Sequence, residues 1–151
     1  MSRWRYWLSL PARRWHRRGF GVQSPWAFEL VTSVLFSNDR YYAFDELGGT
    51  AADEQLFRVV RWVHPRAVML EGVSETGRAY VRAAQADIEI LAWDEAQIAN
   101  DVFVVVDDIR GANSVVWKAV LAHVHTTSAF DMGRRGIAFF DPCRQRQTYL
   151  L

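Results

Sequence analysis

The chain has 151 residues, enough for one domain, with or without an N-terminal extension. Half of them are apolar, ample for a buried core, and 18 basic residues against 17 acidic ones leave a net charge of +1 that points to no class of partner. The single cysteine, Cys143, excludes a disulfide framework and a cysteine-based zinc site. No apolar run approaches the roughly 20 residues needed to span a bilayer, and the N-terminus lacks the apolar centre of a signal peptide. A cytoplasmic protein is the expectation.

Residues 1–18 interleave tryptophan with six arginines and contain no acid; the first acid is Glu29. Pro11 is expected to split this stretch into two short pieces. Such an arm could engage a membrane surface or nucleic acid, or pack on its own domain with its arginines solvated. Gly19–Phe20–Gly21 reads as a flexible joint. Ser24 then caps a helix whose first turn suits Pro25, and that helix ends near Ser37–Asn38. Tyr41–Tyr42–Ala43–Phe44 is an aromatic patch, either a lid over a ligand or packing between helices. Asp53–Glu54 begin the next helix, which Pro65 ends.

Ala67–Glu71 (AVMLE) reads as a strand, Gly72–Gly77 as a glycine turn, and 78–86 as a helix. Strand, glycine turn and helix together make an arrangement that binds phosphate or nucleoside groups. Gly72 and Gly77 have P-loop spacing, yet Arg78–Ala79 stand where Lys and Ser/Thr are needed, which argues against a nucleoside triphosphatase. Ile88–Trp93 is a second strand ending in Asp94. That acid lies 22 positions after Gly72, about where an acid meets ribose hydroxyls in Rossmann-type folds; the other reading is a plain turn acid. Only Glu95–Asp101 lead to the next strand, short beside the dozen or more residues of a parallel crossover. Either the two strands are not a regular parallel pair, or something has been lost here.

Val102–Arg110 (VFVVVDDIR) is the stretch the chain is organised around. Five unbroken apolar residues predict a strand buried on both faces. Asp107 and Asp108 end it, where ligands bind in open α/β sheets. Asn113 or Ser114 caps the following helix, made amphipathic by Val116, Trp117, Val120, Leu121 and Val124. Thr126–Met132 and Gly136–Phe140 are expected as an antiparallel pair at one edge. Residues 142–151 form a tail, a surface strand extension or disordered. The expected organisation is therefore a basic, aromatic arm at 1–18, a helical segment at 19–65, a reduced Rossmann-like core at 66–141 and the tail at 142–151.

Three stretches carry a resemblance to a family. GFGVQSPWAFELVTSVLF with YYAFDEL, then AVMLEGVSETGRAYVRAA, then VFVVVDDIR with a Trp-containing helix and FDMGRRGIAFF resemble a bacterial family of class I methyltransferase-like proteins. The resemblance covers most of the chain except roughly 86–100. It implies an α/β, Rossmann-like class I methyltransferase fold in shortened form: about five strands where the family has seven in the order 3-2-1-4-5-7-6, mostly parallel, with a terminal antiparallel pair and an N-terminal helical extension. The strand at 88–94 would be a remnant of the family's second or fourth. Two positions depart from the pattern: Glu71 abuts Gly72 without the usual intervening apolar residue, and Gln23 stands where histidine is common.

The resemblance implies S-adenosylmethionine as cofactor. Gly72, Ser74 and Gly77 would let the backbone approach its amino-acid end, Glu71 would accept from its ammonium group, and Asp94 would bond its ribose. Asp107 or Asp108 would be the catalytic general base for a small-molecule acceptor, in transfer to oxygen. One of these two acids could instead cap the following loop. A hard-metal site needs more ligands than two adjacent acids whose side chains diverge, so none is assigned. The alternative function is a catalytically inactive, shortened relative serving as an interaction or scaffold protein. A homodimer through an exposed sheet edge is a further expectation.

Overall fold

The computed structural model describes residues 3–19 and 21–151, with side chains from residue 10 onward. Six strands make one sheet: β1 Ala67–Glu71, β2 Glu89–Leu91, β3 Val102–Asp107, β4 Ser128–Asp131, β5 Arg135–Phe139 and β6 Gln147–Leu150. Their order is 2-1-3-5-4-6. Only β5 runs against the rest, antiparallel to both β3 and β4. The fold is α/β with a mostly parallel sheet, compatible with a Rossmann-like arrangement.

Two expectations change and one open alternative is decided. There are six strands, not five, because 147–150 of the expected tail pair in parallel with β4. The antiparallel pair exists but is not terminal: β5 is inserted between β3 and β4, and β6 forms the edge. The strand before the short connection lies outside β1 and does not touch β3. Residues 92–101 therefore return past β1 with only a 3-10 turn, Glu95–Gln97, where a helix would ordinarily stand.

The sheet is buried on both faces, and strand alternation sorts its side chains. Val68, Leu70, Phe103, Val105, Phe130, Ile137 and Phe139 join one apolar cluster. Ala67, Met69, Val102, Val104, Val106, Ala129 and Ala138 join the other. The first cluster is roofed by α2 (Pro25–Glu29), its π-helical continuation Leu30–Leu35, α4 (Ala51–Val63) and α5 (Glu75–Ala84). The second has α6 (Ser114–Ala122) and the short return, through Trp93, Ile98 and Ala99. Val102 to Val106 are each no more than 2% exposed. Burial of that kind is worth about 1.5–3 kcal/mol per large apolar side chain.

Local signals explain the helix ends. Ser24 accepts from the Ala27 amide. Thr50 and Asp53 form a reciprocal capping box on α4. The aromatic patch is packing: Tyr41 and Phe44 of α3 (Tyr42–Leu47) and its approach meet Phe57, and Phe44 meets Tyr80, while Tyr42 is exposed.

The N-terminal arm differs from expectation. Arg3–His16 is one helix, α1, and it continues through Pro11. Its lower half is held from outside the helix. The Arg13 guanidinium, 1% exposed, donates to the Asp131 carboxylate at 3.1 Å and to the carbonyls of Asp131 and Leu151 at 3.0 and 3.2 Å. His16 Nδ1 lies 2.8 Å from the Leu150 carbonyl, so it donates. These anchors offset the backbone bond that proline removes. Gly19 and Gly21 of the expected joint both have positive φ, and Phe20 lies outside the described residues. Among the described residues no helix is long and apolar enough to cross a membrane.

Candidate functional site

The glycine bend and the twin aspartates share the carboxyl rim of the sheet. Glu71 pairs with Val106 in register, so Gly72 lies beside Asp107. A Cβ built on Gly72 would come 3.3 Å from the Asp107 carbonyl. The acids themselves diverge. Asp107 follows the alternation of Phe103 and Val105 toward α4, whereas Glu71 follows Ala67 and Met69 toward the face of α6. One rim gathers them, but on opposite faces.

Four of the five residues assigned to the donor have an internal role here. Gly72 has φ +70°, and the space a side chain would take there is filled by the Asn113 amide. Asn113 does stand at the start of α6, but its side chain makes no cap. Its Nδ2 instead donates to the Asp107 carbonyl at 2.9 Å, tying the α6 start to β3 across Gly72. Ser74 caps α5 by accepting from the Gly77 amide at 3.1 Å. Gly77 lets α5 approach α4: a Cβ there would meet Val73 Cγ1 at 2.6 Å and Asp53 Oδ1 at 3.0 Å. Asp94 is exposed and caps the 3-10 turn through the Ala96 amide at 2.9 Å, the turn-acid reading.

The two residues assigned to catalysis are also engaged. Asp107 takes a fork from Arg135, with Nε at 2.5 Å and Nη2 at 2.8 Å. Bidentate pairs of this kind are among the stronger charge-assisted bonds. The same guanidinium donates from Nη1 to the Ala52 carbonyl in the first turn of α4. Asp108 has φ +56°, a region that aspartate tolerates better than most residues. Its carboxylate accepts from the Ala112 amide at 2.8 Å and its carbonyl from the Gly111 amide at 3.0 Å. It is the loop cap named as the other possibility. Of the four acids, Glu71 alone has a side chain with no hydrogen bond or ion pair among the described residues.

Farther along the rim, Asp131 holds a second cluster. It binds Arg13, the Gly133 amide at 2.9 Å, and Arg110 Nη2 at 2.9 and 3.1 Å. Arg110 also donates to the Gly133 carbonyl. Sequence reasoning missed Arg135, which it read as a turn residue, and the part played by Asn113. The Asp107–Arg135 pair is a cross-strand neighbour pair, so its signal was the hairpin register.

Two surface cavities, of about 1390 and 310 Å³, lie elsewhere, beside α1 and beside the end of the π-helix, and no rim residue lines them. Among the described residues no three His, Cys, Asp or Glu side chains gather into a metal-ligand set. No protein-family model, curated protein or solved structure matches the chain.

Proposed function

We propose that this chain is a shortened relative of the class I methyltransferases whose donor-binding edge has turned into structure, and that it acts as an interaction or scaffold protein. The observation that carries the reading is the Asn113 amide seated over Gly72 and bonded to the Asp107 carbonyl. The backbone approach that a donor's amino-acid end would use is filled by the chain itself. The caps made by Ser74 and Asp94 and the Arg135 fork on Asp107 point the same way. The residues present do not fit S-adenosylmethionine. The kinship itself rests on the sheet: β2 outside β1 has the place of the family's second strand, and β5 is inserted antiparallel as the family's last strand is. Fold kinship alone does not confer activity. The exposed free thiol of Cys143 suits a reducing compartment, so the proposed location is the cytoplasm.

A second reading has one observation behind it. Glu71 lacks an internal partner beside Gly72 and stays available to a cationic group, as methyl transfer to a small-molecule oxygen would require. Calorimetric titration with S-adenosylhomocysteine and S-adenosylmethionine tests both. The scaffold reading expects no saturable heat at millimolar ligand. Saturable heat that disappears in Glu71→Gln would overturn it in favour of the enzyme.

A further inference from the structure

The cationic surface of α1 is left unused by everything described so far. Arg13 and His16 point inward and fix the helix on β4 and β6. Arg14, Trp15, Arg17 and Arg18 are exposed, with Trp15 63% accessible. Nearby, Phe28 is 45% accessible. Among the described residues Arg14, Arg17 and Arg18 make no ion pair; Arg17 rests on the Phe36 ring, 5.2 Å from its centroid. Between α1 and the π-helix runs the open groove of about 1390 Å³, lined by four arginines, Trp15 and Phe36, with no acid among its described lining residues.

We propose that this face of α1, with its groove, docks on the anionic surface of a lipid bilayer. Unpaired arginines complement anionic headgroups, and each gains from nearness to a negatively charged leaflet. An exposed tryptophan flanked by arginines suits the headgroup boundary, where an amphipathic ring has one side apolar and one side wet. Pro11 and Trp15 lie one helical turn apart on one side of α1. Nucleic acid would meet the same arginines, but its affinity comes chiefly from phosphate contacts; the exposed Phe28 and the Leu10 and Pro11 of the groove lining give it nothing to bind, whereas they suit the acyl boundary of a bilayer. Because Arg13 clamps α1 to the sheet, binding would hold the whole domain in one orientation, with the carboxyl rim near the lipid. The inference goes beyond the proposed function and is independent of donor binding.

The test is co-sedimentation of the full chain with vesicles of phosphatidylcholine alone and of phosphatidylcholine mixed with phosphatidylglycerol. The expected result is binding to the mixed vesicles only, weakening steadily as salt is raised. In R14Q/R17Q/R18Q the affinity falls roughly a hundredfold, the worth of three basic residues near an anionic surface. These side chains are exposed and make no ion pair among the described residues, so the urea midpoint moves by no more than the Arg17–Phe36 contact is worth; the salt titration of the unaltered chain serves as the measurement free of any substitution. Vesicles with brominated acyl chains quench tryptophan emission, and W15F reduces that quenching. Failure to sediment with the mixed vesicles overturns the proposal, as does binding that ignores both salt and the triple variant. Release of vesicle-bound protein by a single-stranded oligonucleotide at equal phosphate concentration overturns it in favour of nucleic acid.

Discussion

The carboxyl rim of the sheet falls into two halves that use acids differently. Over β3, β5, β4 and β6 the acids that close the strands are matched by arginines from another part of the chain, Asp107 by Arg135 and Asp131 by Arg13 and Arg110, while Asp108 caps a loop. Over β1 and β2 neither strand-end acid meets an arginine among the described residues: Glu71 is half-buried and without a side-chain partner, and exposed Asp94 serves a local turn. In the first half, charge closes the fold, linking α1, α4 and the sheet. In the second half, the Asn113 side chain stands over the glycine bend. The same position in an α/β sheet can thus be structural or receptive, and the identity of the acid does not decide which. The partner does.

The largest effect expected from breaking this contrast is at Asp131. Asp131→Ala leaves two guanidinium groups without their carboxylate, Arg13 among them with its side chain 2% exposed. Removing one partner of a buried pair costs about 3–5 kcal/mol. The urea midpoint should fall accordingly, and a loss below about 1 kcal/mol would show that the clamp on α1 carries no stability. Next comes the Asp107–Arg135 fork, side chains 22% and 7% exposed. A double-mutant cycle with Asp107→Asn and Arg135→Met should give a coupling of about 0.5–3 kcal/mol. Coupling near zero would release Asp107 for chemistry and weaken the scaffold reading.

These two clusters also mark where sequence reasoning stops. The buried run Val102–Val106, the glycine bend, the cap at Ser24 and the first-turn acid Asp53 were legible because they depend on neighbours within a few residues; the Ser74 cap was missed, and α5 begins at Glu75, not at 78. The shared rim was legible too, since parallel strands align their carboxyl ends. What was not legible depends on distant partners. Helix α1 passes Pro11 because Arg13 finds Asp131, 118 positions away. The tail stayed open between a strand extension and disorder because Gln147 and Thr148 are exposed edge residues and only Tyr149 and Leu151 are buried; so short a stretch has no clear alternation. Asp107 looked free because its partner is set by a hairpin register in which Arg135 belongs to the strand and not to the turn.

A third test probes the boundary between the halves. Gly72→Ala puts a methyl group into a left-handed backbone position, where the Asn113 amide already lies. Backbone strain of this type costs about 1–3 kcal/mol. If the amide is the obstacle, adding Asn113→Gly should recover part of that loss, and the two substitutions should be non-additive. Strict additivity in urea unfolding would mean that backbone conformation alone requires the glycine, and that Asn113 does not plug the bend.

The smallest effect is expected at Glu71, and it sharpens the contrast most. Lacking an internal partner, its carboxylate should contribute little to the fold, so Glu71→Gln should stay within about 0.5 kcal/mol of the unaltered chain. That silence makes it the cleanest probe of the open half. A residue that is neutral for stability but needed for heat in a titration with S-adenosylhomocysteine belongs to a binding site; one that is neutral in both belongs to a solvated edge. The scaffold reading requires the second outcome. It requires it of Glu71 alone among the rim acids assigned to donor or catalysis, because substitution of the others also breaks a cap or an ion pair.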